Sequence, residues 1–243
     1  MEYKYTKDLD YSDFASGRVL YSLPGHPAFP VRLASEIFQR CLALRKEPGL
    51  CILYDPCCGA AYHLSVLGYL HREHIQEIIA SDVDEKAVSL AKQNLGLLTP
   101  AGLDRRIDQI SELLKQYGKE SHAEALGSAK KLKSLLPSAP LGTKTFQASA
   151  LDSKAMLENI KPNSVDIVLT DVPYGRGSSW ETAEGSLTPL GSMLEALHPL
   201  LSDSAIVAVI SDKAQKATYE SYERVQQFQV GKRRVAILKM RNR

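Results

Sequence analysis

Two short stretches of this 243-residue chain hold side chains whose order could do chemistry. Asp171-Val172-Pro173-Tyr174-Gly175 sets a carboxylate, a carbonyl ahead of a proline and an aromatic ring side by side. An amino group on a purine ring is a weak nucleophile, because its lone pair is delocalised into the ring. A carboxylate and a carbonyl can accept its two hydrogens and hold it for in-line attack on a methyl group. Pro173 restricts Val172 to extended backbone, which would aim that carbonyl into a site. Tyr174 offers a face on which a flipped base can stack. Standing alone, the same string would read as a strand ending in a turn.

The second stretch is Asp55-Pro56-Cys57-Cys58-Gly59-Ala60-Ala61. Small residues let backbone approach a ligand, and Gly59 can adopt positive φ. It lacks both the G-x-G-x-x-G spacing and the lysine of a phosphate loop. An acid at its head would repel a pyrophosphate and pair with an ammonium. Asp82, with Val83 and Asp84 after it, falls where ribose hydroxyls are held in nucleotide-binding α/β sheets. Asp152 could accept a hydrogen bond from an adenine amino group. An acid-lined nucleoside pocket of this kind suits S-adenosylmethionine better than a dinucleotide. The adjacent cysteines could in principle act as a nucleophile with His63 as base, or bind metal, although the spacing suits neither. Packing in a tight turn is their expected role.

These residues need elements to carry them. Val31 to Leu42 has helical periodicity, stopped by Pro48-Gly49. Apolar runs at 50–54, 78–81, 144–148, 165–170 and 205–210 read as buried strands, with helical patterns after the first two. The alternation predicts a doubly wound α/β sheet. Val225 to Val230, Gly231 and Arg234 to Lys239 predict a closing antiparallel hairpin. The expected fold is therefore a Rossmann-like, mostly parallel sheet ending in that hairpin. Acids fall at or close to four successive strand ends (Asp55, Asp82 with Asp84, Asp152, Asp171), which packing does not require. That recurrence carries the reading. Residues 1–48 form a turn-rich segment and helix within one expected domain spanning 1–243. Residues 100–137 read as an inserted helical hairpin broken at Gly118, with seven Lys/Arg against five Asp/Glu. Its expected role is to pack on the core.

Net charge is +2 with 44% hydrophobic and 24% charged residues, so no global field argues for nucleic acid. Local candidates for RNA contact are Lys232, Arg233 and Arg234 near the hairpin tip, and Arg176 and Trp180 beyond the Asp171 turn. There is no signal-like or membrane-spanning apolar run, and four clustered cysteines make no disulfide framework. A reducing cytoplasm and a monomer are the expectation, without metal.

The chain resembles the avilamycin-resistance type of 23S rRNA guanine methyltransferase. The resemblance runs nearly end to end, through residues 27–34, 55–59, 80–84, 100–103 and 169–171 followed by 173–175. More distantly, the two turns are similar to D-P-M-C-G-S-G and D-P-P-Y-G of guanine-N2 RNA methyltransferases. The resemblance implies a class I methyltransferase fold, S-adenosylmethionine as donor, and a guanine of 23S rRNA or the large ribosomal subunit as substrate, with antibiotic resistance as a biological role. By position, Asp55, Cys57 and Gly59 would lie at the methionine part, Asp82 with Val83 and Asp84 at the ribose, and Asp152 at the adenine. Asp171, Val172, Pro173 and Tyr174 would face the target, expected to be an exocyclic amine. Ala61 stands where that pattern has a last glycine, and Val172 where the distant relatives have proline. The alternatives are an adenine or small-molecule amino-methyltransferase, and a non-catalytic RNA-binding or ribosome-assembly protein.

Overall fold

A computed structural model describes residues 2–22, 28–47, 49–136, 141–172, 188–212 and 221–241. Seven strands form one sheet: β1 (Cys51–Asp55), β2 (Ile75–Asp82), β3 (Gly142–Gln147), β4 (Val165–Asp171), β5 (Leu201–Asp212), β6 (Tyr222–Val230) and β7 (Arg233–Met240). Their order is β3-β2-β1-β4-β5-β7-β6. The first five run parallel, and β7 pairs antiparallel with both β5 and β6. Strand order reverses between β1 and β4, so the crevice for a ligand lies outside their carboxyl ends.

Period-2 alternation sorts the sheet's two faces. Leu53, Ile78, Ala80, Ile167, Leu169, Ile206 and Ile210 join one core with helices α1 (Val31–Leu44) and α2 (Tyr62–Leu70). Tyr54, Ile79, Val168, Val207 and Val209 join the other, against α6 (Ser153–Leu157) and α7 (Pro189–Leu197). Burial on both faces explains the unbroken apolar runs. Two steps beyond Leu53, Ala80, Leu169 and Ile210 stand Asp55, Asp82, Asp171 and Asp212. These four acids therefore share the parity of the α1/α2 face, with Asp212 of β5 among them, whereas Asp152 lies beyond the end of β3 as the cap of α6.

The inserted segment forms α4 (Pro100–Tyr117) and α5 (Glu120–Ser134), following α3 (Glu85–Gly96). Gly118 breaks them in the left-handed region at φ 61°. At the root, Gly102 must be glycine, since a Cβ there would meet the Gly96 carbonyl oxygen at 2.0 Å. Leu103 and Ile110 pack against Ala125, Ala129 and Leu132. The expected apolar stripe does not continue: Leu113 and Tyr117 are exposed, because the packing partners belong to the root.

The N-terminal segment is held by one buried carboxylate. Glu36 on α1 accepts hydrogen bonds from the backbone N–H of Lys4 (2.8 Å), Tyr5 (2.9 Å) and Thr6 (3.0 Å), and from the Thr6 hydroxyl (3.1 Å). Arg40 closes the set at 2.8 Å. Burial acts to raise the Glu36 pKa, but these donors outweigh it and hold the carboxyl below its ordinary value. Its stabilisation is therefore present above the ordinary carboxylate range and lost as pH falls through the folded pKa. Glu36→Gln is expected to destabilise the fold by roughly 3–5 kcal/mol near neutrality, because the partners stay buried without their charge. Denaturant melts should show the difference narrowing in acid.

Candidate active site

The first turn is built by backbone geometry. Gly59 has φ 52°, and a Cβ at that position would meet nothing within 4 Å, so the turn faces open space. Ala61 also takes the left-handed region, at φ 51°, where the related pattern has glycine. It stands at the head of α2 and its carbonyl accepts the Ser65 N–H and hydroxyl. Asn94 on α3 clamps the turn to the N-terminal segment, donating to the carbonyls of Ala60 and Tyr21 while accepting the Tyr21 N–H.

Carboxylates from three strand ends converge here. Asp55 is fully buried and accepts the Cys57 N–H at 2.9 Å. Asp82 accepts the Gly59 N–H at 2.8 Å through one oxygen and the Asp84 N–H at 3.1 Å through the other. Asp171 ends β4 with its side chain 23% exposed. Cys57 sits within the field of all three. Burial raises the Cys57 and Cys58 thiols well above their ordinary pKa, and the Asp55 and Asp82 charges raise them further. Neither cysteine is a thiolate nucleophile near neutrality, and packing is what remains. Burial also raises Asp82, against the two N–H bonds that lower it. Such a cluster favours a ligand that brings positive charge and hydroxyl donors. Among the described residues no group of three or more His, Cys, Asp or Glu is arranged to hold a metal.

The β4 end carries a second pair. Val172 buries its side chain in the α6/α7 core and donates its N–H to the Ile210 carbonyl at 3.0 Å, so only its backbone can face a ligand. Arg233, the first residue of β7, lies opposite Asp212 of β5, and its Nε stands 3.8 Å from Asp171 Oδ2. Its guanidinium also lies over the Phe29 ring, 5.3 Å from the centroid.

The family model of the rRNA methyltransferase AviRa matches residues 1–233. The chain belongs to that family. It is 39% identical over 235 residues to a 23S rRNA (guanine(2535)-N(1))-methyltransferase of Streptomyces viridochromogenes, covering 95% of this chain and 92% of that protein. Two solved structures of rRNA methyltransferase aviRa from the same organism superpose with TM-scores of 0.85 and 0.86, at 39% and 38% identity. They cover 95% and 96% of this chain, and in both cases 93% of the matched chain.

Within this AviRa-family fold the expected site residues divide into groups. Asp55, Cys57, Gly59 and Asp82 come together around the first turn. Val83, 56% exposed, and Asp84, the cap of α3 through the Lys86 N–H, lie beside Asp82. Asp152 is exposed beyond β3 and caps α6, accepting the Ala155 N–H at 3.0 Å. Of the RNA candidates, Lys232 is exposed at the hairpin tip, Arg234 pairs opposite Ser211, and Arg233 sits at the acid cluster instead. Pro173, Tyr174, Arg176 and Trp180 lie outside the described residues.

The sequence offers His63 only as a candidate base for the adjacent cysteines, and its pairing with Asp55 was missed. On α2 and buried, it brings Nε2 to 3.0 Å from Asp55 Oδ2 and 3.4 Å from the Leu169 carbonyl oxygen. Its ring stands 5.7 Å from that of Phe29. The available signal was that Asp55 and α2 share one face of the sheet. Burial lowers the His63 pKa, yet the bond and charge of Asp55 prevail and the net shift is upward. A raised folded pKa gives stability that is complete below the ordinary histidine range, about 6.5, and lost as pH rises through the folded value. His63→Gln should therefore lower Tm more near about pH 6 than near about pH 9.

Proposed function

We propose that this chain transfers a methyl group from S-adenosylmethionine to N1 of a guanine in 23S rRNA. The observation that carries the reading is that Asp55, Asp82 and Asp171 end the adjacent strands β1, β2 and β4 at the sheet's switch point. When bound, the donor supplies an electrophilic methyl group on a sulfonium. Asp55 and the Gly59 turn hold its cationic methionine part, and Cys57 packs beneath. Asp82 accepts from the ribose hydroxyls, Val83 and Asp84 border the nucleoside, and Asp152 accepts from the adenine amino group.

The target atom follows the name of the Streptomyces viridochromogenes relative, which specifies N1, a ring nitrogen. This replaces the exocyclic amine expected from the Asp171 turn. The two are hard to separate by sequence because guanine presents N1–H and its 2-amino group side by side. A carboxylate followed by an outward carbonyl matches that pair of donors in either case. Asp171 then accepts the N1 proton, the Val172 carbonyl accepts from the 2-amino group, and Pro173 and Tyr174 complete the target side. Arg176, Trp180, Lys232 and Arg234 contact the surrounding RNA. Among the described residues no helix is long and apolar enough to cross a membrane. The expected biological role is resistance to a ribosome-targeting antibiotic.

Mass spectrometry of nucleosides from ribosomal RNA of cells with and without the protein tests the reading. It expects 1-methylguanosine to rise in the large-subunit RNA of cells that carry the protein. An unchanged nucleoside profile refutes it.

A further inference from the structure

Guanine gives up its N1 proton only when the negative charge left behind is accommodated, and most of that charge settles on O6. We propose that Arg233 binds O6 of the target guanine beside Asp171 at N1 and takes up the charge of the deprotonated base. The inference rests on the guanine-methylation reading above.

Three observations support it. Arg233 Nε stands 3.8 Å from Asp171 Oδ2, too far for a hydrogen bond between them and about the span of two neighbouring, slightly divergent hydrogen bonds. Among the described residues this buried Nε has no hydrogen-bond acceptor, so a donor is left for an incoming oxygen. The side chain is also held in place: Phe29 lies beneath the guanidinium and packs on His63, which in turn meets Asp55. Arg233 is therefore fixed to the same frame as the first turn, unlike the exposed Lys232 that precedes it.

The Asp171 carboxylate takes the N1 proton, and the pair from the N–H bond stays with the base, delocalised towards O6. As N1 bonds to the methyl carbon, the carbon–sulfur bond of the sulfonium donor breaks and its pair remains on sulfur. The proton then leaves Asp171 for water. The Arg233 charge also attracts the Asp171 carboxylate, which opposes its taking the proton. Direct contact with O6 offsets this, because that contact is closer than the 3.8 Å to the carboxylate and strengthens as charge develops. Adenine carries an amino donor where guanine carries O6, so two donors would face each other and adenine is disfavoured.

The test uses the full chain with labelled donor and ribosomal RNA, comparing wild type, Arg233→Gln and Arg233→Lys between about pH 6.5 and 9.5. Arg233→Gln should lower kcat about 100-fold near neutrality with KM for RNA within about threefold, as expected for loss of one donor to developing charge. The deficit should narrow as pH rises and solution ionises the base. A variant with kcat within threefold of wild type, a raised KM and a shallower salt dependence would make Arg233 a phosphate contact and overturn the proposal. A kcat loss equal at every pH would also overturn it. Where Arg233→Gln melts early, Arg233→Lys decides: it should lose about tenfold in kcat and keep the wild-type pH profile, and a steepened profile counts against the proposal. Failure of the underlying reading is scored separately, by wild-type product recovered on another base or on protein.

Discussion

Asp171→Asn is expected to slow methyl transfer to ribosomal RNA by about a thousandfold while donor affinity stays within about threefold. The amide keeps the shape of the carboxylate and one acceptor oxygen, so the base is still positioned. It cannot take a proton, and N1 of guanine has no usable lone pair until its proton has gone. The fold should survive, since Asp171 is the last residue of β4 and 23% exposed, with the buried apolar residues of the strand before it. Single-turnover rates and donor titration on the same preparation check both halves. Loss of donor binding together with rate would move Asp171 to the cofactor side of the site.

Asp82→Ala is expected to weaken donor binding by roughly 3 kcal/mol, on the order of 100-fold, read by calorimetry. Two effects add. The variant removes a charged acceptor for hydroxyls, and it also releases the Gly59 N–H that Asp82 holds at 2.8 Å. Burial raises Asp82, so protonation reaches it earlier in acid than an ordinary aspartate. Wild-type donor affinity should fall as pH is lowered through that raised value, and the Asp82→Ala affinity should follow pH less steeply. Equal affinities for the two proteins would remove Asp82 from the cofactor site.

Much of this architecture is legible in the sequence because it follows from local rules. Buried parallel strands read as short apolar runs, and Gly118 marks the helical break. The acids recur at strand ends, and parity alone puts Asp55, Asp82 and Asp171 on one face. The Gly231 hairpin is legible too, and its antiparallel pairing brings β7 back beside β5. What the sequence does not hold is the outcome of long-range packing. His63 meets Asp55 only once α2 folds onto β1; the shared sheet face permits the contact, but an isolated histidine in the sequence does not select it. Arg233 reads as one of three cations near a hairpin tip. Register opposite Asp212, two strands from Asp171, is what separates it from Lys232 and Arg234. Leu113 and Tyr117 show the converse error, since helical periodicity marks an apolar stripe without saying where the core beneath it ends.

Methylation at N1 of guanine is the step on which the role of Asp171 depends. Purified protein, deuterated-methyl donor and large-subunit ribosomal RNA, followed by digestion to nucleosides and chromatography against standards, test it directly. The labelled methyl should appear in 1-methylguanosine and be absent when Asp171→Asn replaces the wild type over the same interval. Label in N2-methylguanosine or in a methyladenosine would contradict it.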